Sequence, residues 1–394
     1  MTVTGRDRHR PNGHHPIQKG GRGGAVLLLA ATLFLVGCSG NTNSSGPAAP
    51  LPTGQTGSIE AIGNPGNCYV SDTGSCRSTS SYTGTNSITA LATLEGTSNY
   101  LYLGDSAGNI ESATVTSTTP PTTTTTISPC VGPGSKILAL AANSTDLLYA
   151  TSGGISFTGS GTSSCTSGTP VTNSITNTSG LTYNTSAAEF VGVTSNAYYF
   201  TCSGTSSIIC QTPQILPSLQ DTSPNITAIA SDPTRSLVYI LAIGASTNRI
   251  YFYYVSGNTL TYLGNYSGLE LNYPSGIALF RGANPTQNFC TSAPCTFMDV
   301  TNTGNSTITQ YVLTYSGSGA QTSVSVNQFN NAYFDCDLIN SAAIAAFPND
   351  GSGNLLPTPD VFVGEQGTSY GSCMGTPATA SYGNNVTAYT VKGE

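Results

Sequence analysis

The sequence predicts an all-β fold in which short antiparallel sheets repeat along the chain, and three observations predict it. Runs of alternating apolar and polar residues fill the chain beyond residue 57, and none has the periodicity of an amphipathic helix. Thr, Ser, Asn and Gly stand where a helical protein would carry Lys, Glu and Gln. The same order of strands also recurs at a regular interval. Together these observations exclude a mostly helical chain.

The clearest repeat unit lies in the middle of the sequence. It contains four strand-like runs joined by short turns: Ile226 to Ala230, Leu237 to Leu241, Arg249 to Val255 and Thr259 to Leu263. Four strands in this arrangement form one antiparallel sheet, because consecutive strands joined by tight turns pair with each other.

Copies of this unit begin at seven places, near Ile59, Ile88, Ile137, Thr182, Ile226, Gly276 and Ala342. The spacing is 49 residues from Ile88 to Ile137, 89 or two units from Ile137 to Ile226, and 51 from Ile226 to Ile277. Four-stranded sheets repeating at about this period are typical of a β-propeller. Seven starts predict seven blades across residues 58–394. The short first spacing and the long last one leave six or eight blades open.

The start of the chain has the features of an export leader. Basic residues are followed by a run from Ala25 to Val36 that is apolar except for Thr32 and is too short to span a bilayer as a helix. The run ends in Leu35-Val36-Gly37-Cys38. This sequence resembles the lipobox of bacterial lipoprotein signals. The resemblance implies cleavage before Cys38 and acylation of Cys38 by chains such as palmitate. The residue after Cys38 is Ser39 and not the aspartate that acts as a retention signal. The resemblance therefore also implies the outer membrane in a diderm cell.

Three segments therefore follow from the sequence. Residues 1–37 are predicted to be the lipoprotein signal peptide, and residues 38–57 the lipidated cysteine with a linker that carries no charge. A linker of Ser, Gly, Asn, Pro and Thr behaves as a flexible coil with a span of about 25 Å. Residues 58–394 are predicted to form the propeller.

Cysteine usage agrees with an exported protein. Ten cysteines remain beyond Cys38, and an even count in an exported chain predicts five disulfides. Ten cysteines allow hundreds of connectivities, and the close spacings favour pairing in sequence order. The favoured pairs are Cys68–Cys76, Cys130–Cys165, Cys202–Cys210, Cys290–Cys295 and Cys336–Cys373.

Composition restricts the chemistry available to the mature chain. Residues 38–394 keep six basic and 17 acidic residues, a formal charge of −11, and all three histidines lie in the leader. The six basic residues are scattered, whereas phosphate binding needs clustered Lys and Arg, so nucleic acid is excluded as a partner. No cofactor is expected, since the mature chain has neither Cys-x-x-Cys nor histidine.

Two segments resemble known propeller families. Pro274 to Ala278 together with Phe297 to Ile308 resembles the NHL repeat, and Ser231 to Tyr239 resembles the strand pair of YVTN or lactonase-like propellers. These resemblances imply the fold rather than an activity, because propellers host hydrolases, lyases and plain binding modules. The histidines of NHL lyases have no counterpart here.

Candidate reactive residues have simpler explanations. Gly104 to Gly108 and Gly367 to Gly371 match the Gly-x-Ser-x-Gly pattern of serine hydrolases, but no histidine is left to accept a proton from Ser106 or Ser369. Asp-Ser-Ala-Gly-Asn is instead favourable for a hairpin turn at Ser106. Asp335, Asp337 and Asp350 are weak calcium candidates, and the loop from Asp350 has Val361 where an EF-hand has Glu. No metal site is therefore predicted.

The sequence thus predicts a lipid-anchored envelope lipoprotein whose propeller is a non-enzymatic binding or protein-interaction module. Its expected partners are the membrane, through the anchor at Cys38, and a protein or polysaccharide ligand. A lactonase-like hydrolase that uses carboxylates in the central funnel is one alternative. A structural surface or adhesion protein is the other.

Overall fold

A computed structural model of the 394-residue chain describes its structure over most of the predicted propeller. The described residues are 57–61, 82–83, 86–94, 99–116, 122–130, 134–160, 168–171, 175–204, 207–282, 295–304, 307–334, 341–349, 355–365 and 385–393. The predicted leader, Cys38 and the linker up to residue 56 lie outside them.

Apart from one short 3₁₀ turn, the regular structure of these residues consists of β-strands. The first ten strands are β1 Gly57–Ala61, β2 Tyr82–Thr83, β3 Ile88–Leu94, β4 Asn99–Asp105, β5 Ile110–Thr116, β6 Thr122–Cys130, β7 Ala139–Ala142, β8 Asp146–Thr151, β9 Gly154–Gly159 and β10 Thr169–Pro170. The next nine are β11 Thr178–Asn184, β12 Glu189–Thr194, β13 Tyr198–Ser203, β14 Ile209–Cys210, β15 Gln214–Ile215, β16 Asn225–Ser231, β17 Leu237–Ile243, β18 Asn248–Ser256 and β19 Thr259–Tyr266. The last seven are β20 Pro274–Gly282, β21 Cys295–Asn302, β22 Thr307–Ser316, β23 Ser323–Phe334, β24 Ser341–Asn349, β25 Leu355–Glu365 and β26 Asn385–Gly393, with the 3₁₀ turn at Gly319–Gln321 between β22 and β23.

The described strands form six antiparallel sheets, which we call the first to sixth blades. The first blade is β3–β6, the second β7–β10, the third β11–β15, the fourth β16–β19 and the fifth β20–β23. The sixth blade combines strands from both ends of the chain, in the order β1-β26-β25-β24, with β2 also pairing β26. In the third blade, β15 is a fifth strand that pairs with β13 beside β14. Apart from β2 and β15, each blade is the four-stranded unit that the sequence repeat predicts.

The blades close into a ring, because each one packs on both of its neighbours. Six clusters of buried side chains each draw residues from two adjacent blades. The cluster that joins the last blade to the first contains Ile88 and Leu101 of the first blade with Ala345 and Phe347 of the sixth. Six sheets closed in this way are a β-propeller. The all-β prediction and the propeller prediction are therefore confirmed.

Strand β17 shows why a blade needs a neighbour on each face. Leu237, Tyr239 and Leu241 pack with residues of the fifth blade, and the alternate residues Val238, Ile240 and Ala242 pack with residues of the third. Successive side chains point to opposite faces of a sheet, so an apolar strand of this kind has two faces to bury. All six of these side chains are almost fully buried.

The prediction of seven blades was wrong by one, and six was among the alternatives left open. Six of the seven predicted starts correspond to the innermost strands β3, β7, β11, β16, β20 and β24. The seventh, at Ile59, lies in β1, which is the outer strand of the sixth blade and pairs with β26 from Gly57↔Gly393 to Ala61↔Tyr389. The start of the chain therefore completes the last blade instead of forming its own, and so closes the ring.

Glycines allow two of the blade interfaces to pack closely. A Cβ added at Gly104 of β4 would lie 2.5 Å from Cγ2 of Ile137 in the second blade. A Cβ at Gly364 of β25 would lie 2.6 Å from Cγ2 of Ile88 in the first blade. At both interfaces the isoleucine of one blade occupies the space that a side chain on its neighbour would need.

Candidate functional site: the central channel

The innermost strands of the six blades surround a central channel whose two ends differ in width. At the end where these strands finish, the channel opens into a cavity of about 520 Å³, which we call the wide mouth. At the end where they begin, the enclosed space is only about 60 Å³. The wide mouth is large enough for a loop of a partner or a small ligand, since ligand sites commonly measure a few hundred Å³.

The wide mouth is lined by small and apolar residues together with neutral polar residues, and polar atoms form the larger part of its exposed surface. The apolar part comes from Ala, Leu and Ile residues of all six innermost strands, and the polar part includes Thr93, Asn143, Ser144, Thr182, Thr185 and Ser231. Thr182 of the third blade donates a hydrogen bond of 3.1 Å from its hydroxyl to that of Ser231 in the fourth blade. Its surface therefore offers neutral hydrogen-bonding groups to a ligand.

Asp232 is the one carboxylate among the described residues that line the wide mouth. It is fully buried, and its Oδ1 accepts hydrogen bonds from the Thr234 backbone N–H at 2.8 Å and the Thr234 hydroxyl at 2.9 Å. Its Oδ2 accepts a hydrogen bond from the Tyr315 hydroxyl at 2.6 Å and lies 3.9 Å from Nη1 of Arg235. The carboxylate is thus occupied by contacts that hold the turn between β16 and β17.

The groups around Asp232 connect the fourth and fifth blades. The Tyr239 hydroxyl donates to that of Tyr315 at 3.2 Å, and the Arg235 guanidinium lies over the Tyr315 ring, 3.8 Å from its centroid. Burial is the main reason why the pKa values of Tyr239 and Tyr315 are raised above the ordinary tyrosine value. Both hydroxyls therefore stay neutral donors. The segment that resembles lactonase-like propellers serves here as a contact between blades.

Ser106 lies in a tight turn between β4 and β5, where its side chain is exposed. The Asp105 carboxylate accepts hydrogen bonds from the backbone N–H groups of Ala107 and Asn109 and from the side-chain amides of Asn86 and Asn109, at 2.8 to 2.9 Å. Gly108 has a φ of +90°, a conformation that favours glycine. The interpretation of Asp-Ser-Ala-Gly-Asn as a hairpin turn is confirmed. Ser369 lies outside the described residues.

The described residues contain part of the predicted disulfide set. Cys202 and Cys210 are joined by a disulfide between β13 and β14, as pairing in sequence order predicts. Cys295 is also disulfide-bonded, and its predicted partner Cys290 lies outside the described residues. The side chain of Cys130 and the residues Cys68, Cys76, Cys165, Cys336 and Cys373 lie outside them too, so the other pairings stay predictions.

Metal and membrane features are limited in the part of the chain that the structure describes. That part contains no group of three or more His, Cys, Asp or Glu side chains placed to hold a metal ion. The calcium candidates Asp335, Asp337 and Asp350 fall outside it. In the same part, no helix has the length and apolar character that crossing a membrane requires.

Two structural features were not found from the sequence. The lining of the wide mouth consists of ordinary strand residues, which carry no chemical signature in a sequence. The buried pair of Asp299 and Gln310 in the fifth blade was also missed. Its signal was an acidic residue between Met298 and Val300, in a strand that is otherwise apolar or neutral.

The six closed sheets place the chain among the β-propellers. In a search of solved structures, the chain is similar to the crystal structure of RRP9 WD40 repeats, with a TM-score of 0.48 and 10% sequence identity over 85% of this chain and 100% of that chain. No protein-family model matches the chain, and no curated protein matches it.

Proposed function

We propose that this protein is an exported, lipid-anchored β-propeller that binds a protein or polysaccharide ligand at the wide mouth without catalysing a reaction. The observation that carries the proposal is the lining of the cavity of about 520 Å³, which combines an apolar wall with neutral hydroxyl and amide groups. Such a surface suits an uncharged ligand or a loop of a partner. A charged ligand would lose water on binding, and the hydroxyl and amide groups of this wall carry no opposite charge to compensate for that loss.

The lactonase-like alternative is less well supported by the same lining. A hydrolase without histidine would need an accessible carboxylate to accept or donate a proton. Among the described residues of the wide mouth, Asp232 is the one carboxylate, and its oxygens already accept three hydrogen bonds. This arrangement favours binding over hydrolysis. The structural or adhesion alternative shares the same scaffold, and specific retention by whole cells or polymer would support it.

A crosslinking experiment with two matched serines tests where the ligand binds. Ser144 is exposed in the turn between β7 and β8 at the wide mouth, and Ser106 is exposed in a similar turn. The Ser106 backbone N–H bonds to the carbonyl of Ser87, one residue before β3 begins, so Ser106 belongs to the narrow end. A photoreactive benzoylphenylalanine at residue 144 is expected to give a discrete adduct in cells, and the same group at residue 106 is expected to give none.

The outcome is informative in each case. An adduct confined to residue 144 supports binding at the wide mouth. Equal adducts at both positions, or none at either, would contradict it. Mass spectrometry of the adduct identifies the ligand as protein or polysaccharide.

The proposed anchor has its own test. Cells fed an alkyne analogue of palmitate are expected to label the protein, and the amino-terminal peptide beginning at Cys38 is expected to gain the mass of its acyl chains. Cys38→Ala serves as the control and is expected to abolish labelling and to move the protein into the aqueous phase after detergent partition. A peptide that begins at Cys38 with an unmodified amino terminus would contradict the proposed anchoring.

A further inference from the structure

A carboxyl group and an amide group face each other inside the fifth blade. Asp299 of β21 and Gln310 of β22 are direct cross-strand partners, and both are fully buried. The alternate residues Phe297, Ile308 and Val312 pack in one cluster with Ile344 and Val361 of the sixth blade. Because side chains alternate along a strand, Asp299 and Gln310 lie on that same side. The pair is therefore located in the interface between the fifth and sixth blades.

Hydrogen bonding within this pair is incomplete if the carboxyl group is ionised. Gln310 Nε2 donates to Asp299 Oδ1 at 2.9 Å, whereas Asp299 Oδ2 and Gln310 Oε1 have no hydrogen-bond partner among the residues that the structure describes. The amide oxygen of Gln310 can only accept a hydrogen bond, and Asp299 Oδ2 can also only accept one while the carboxyl group is ionised. The two oxygens therefore cannot bond to each other in that state. Exchanging the amide oxygen and nitrogen of Gln310 would remove the one bond that exists. A proton on Oδ2 turns that oxygen into the donor that Gln310 Oε1 lacks.

We propose that Asp299 carries a proton in the folded ring, and that loss of this proton weakens the interface between the fifth and sixth blades as the pH rises. The protonated carboxyl group and the amide then form two reciprocal hydrogen bonds. An ionised carboxylate would leave a charge in an apolar interface and two oxygens without a donor, which is costly for groups that are fully buried.

The electrostatic surroundings agree with this assignment. Burial raises the pKa of Asp299 to about 7, although the hydrogen bond from Gln310 acts in the opposite direction. The ionisable residues on the strands packed around it are Arg281 on β20, Tyr311 and Tyr315 on β22, Tyr333 on β23, and Asp360 and Glu365 on β25. Neither of the two ion pairs among the described residues involves Asp299. An ionised Asp299 would therefore have no cation within ion-pair distance among the described residues.

The direction of the pH effect follows from the two states of the carboxyl group. In the unfolded chain an aspartate titrates near pH 3.9. In the folded ring the pKa of Asp299 is raised to about 7. The contribution to stability is thus fully present below about pH 4 and declines as the pH rises, because the unfolded chain releases a proton that the ring retains. The decline is complete above the folded pKa.

Denaturant unfolding of the mature chain between pH 4 and pH 8 tests the proposal. For this group alone, the unfolding equilibrium constant of the wild type is expected to rise roughly 500-fold across that range. Asp299→Asn is the matched variant, since its side-chain amide donates permanently to Gln310 Oε1 and carries no charge. The variant is expected to lack this rise, so that the difference in unfolding equilibrium constant between the wild type and the variant grows with pH.

Two outcomes would overturn the proposal. One is a wild type and an Asp299→Asn variant with parallel pH profiles. The second outcome needs only the wild-type protein, so it applies even if the variant does not fold. It is an infrared spectrum of the wild type at pH 6 that lacks the carbonyl band of a protonated carboxyl group. Asp105→Asn provides the control for replacing a buried carboxyl group whose oxygens both already accept hydrogen bonds, since four N–H groups donate to Asp105.

Discussion

Alanine in place of Gly104 is expected to destabilise the ring by about 3 kcal/mol, because overpacking a close contact forces the backbone of two blades apart. The new Cβ would lie 2.5 Å from Cγ2 and 2.8 Å from Cβ of Ile137. Rotation about χ1 does not move the Ile137 Cβ, so the second blade itself has to shift. Denaturant unfolding of the variant measures the loss.

A control variant and a double variant separate steric conflict from the general effect of removing a glycine. A Cβ at Gly153 would meet only the hydroxyl of Thr151, at 3.6 Å, so Gly153→Ala is expected to change stability by less than about 0.5 kcal/mol. Ile137→Gly removes every side-chain atom of residue 137 that the new methyl group would meet. The two changes together should therefore cost less than their sum. Additive losses would show that the contact between Gly104 and Ile137 does not limit the packing.

Removing residues 57–61 is expected to have the second large effect. These residues form β1, which pairs along its whole length with β26. Without β1, the backbone of β26 loses hydrogen bonds that contribute about 1 kcal/mol each, and we expect a loss of roughly 3 kcal/mol or more. An uncovered strand edge also pairs readily with other chains, so the truncated protein is expected to self-associate. Calorimetry and size-exclusion chromatography measure the two effects.

A variant lacking residues 41–56 but retaining β1 is the control for shortening the chain. This variant is expected to unfold at the same temperature as the full chain and to elute with the same oligomeric state. Equal stability of the two truncated proteins would mean that β1 does not hold the ring closed.

The repeat in the sequence predicted most of the fold because it follows from local residue patterns. Alternation and turn residues located the innermost strand of each blade, including Ile88 and Ile226. The same patterns did not show which sheet a strand joins. The run at Ile59 looks like any first strand, yet it pairs with the other end of the chain. Its short distance to the next repeat, and the long stretch after Ala342, were the signals that one blade is shared between the two ends.

The candidate site was less predictable for a different physical reason. A binding surface made from Ala, Leu, Thr and Ser has no rare residues or fixed spacing, and only the closed ring brings six strands together around one cavity. Asp232 shows the converse. It lies in the segment from Ser231 to Tyr239, whose sequence resembles the strand pair of YVTN or lactonase-like propellers. The structure surrounds its carboxylate with Thr234, Arg235 and Tyr315.

The pairing of β1 with β26 has a consequence for the timing of maturation. Among the described strands, β1 is synthesised before all the others, and its partner β26 is synthesised after all the others. Contacts between distant parts of a chain form slowly, because a long loop must be ordered before they can contribute. Blades can assemble one after another during synthesis, but the sixth blade cannot be completed before β26 has left the ribosome.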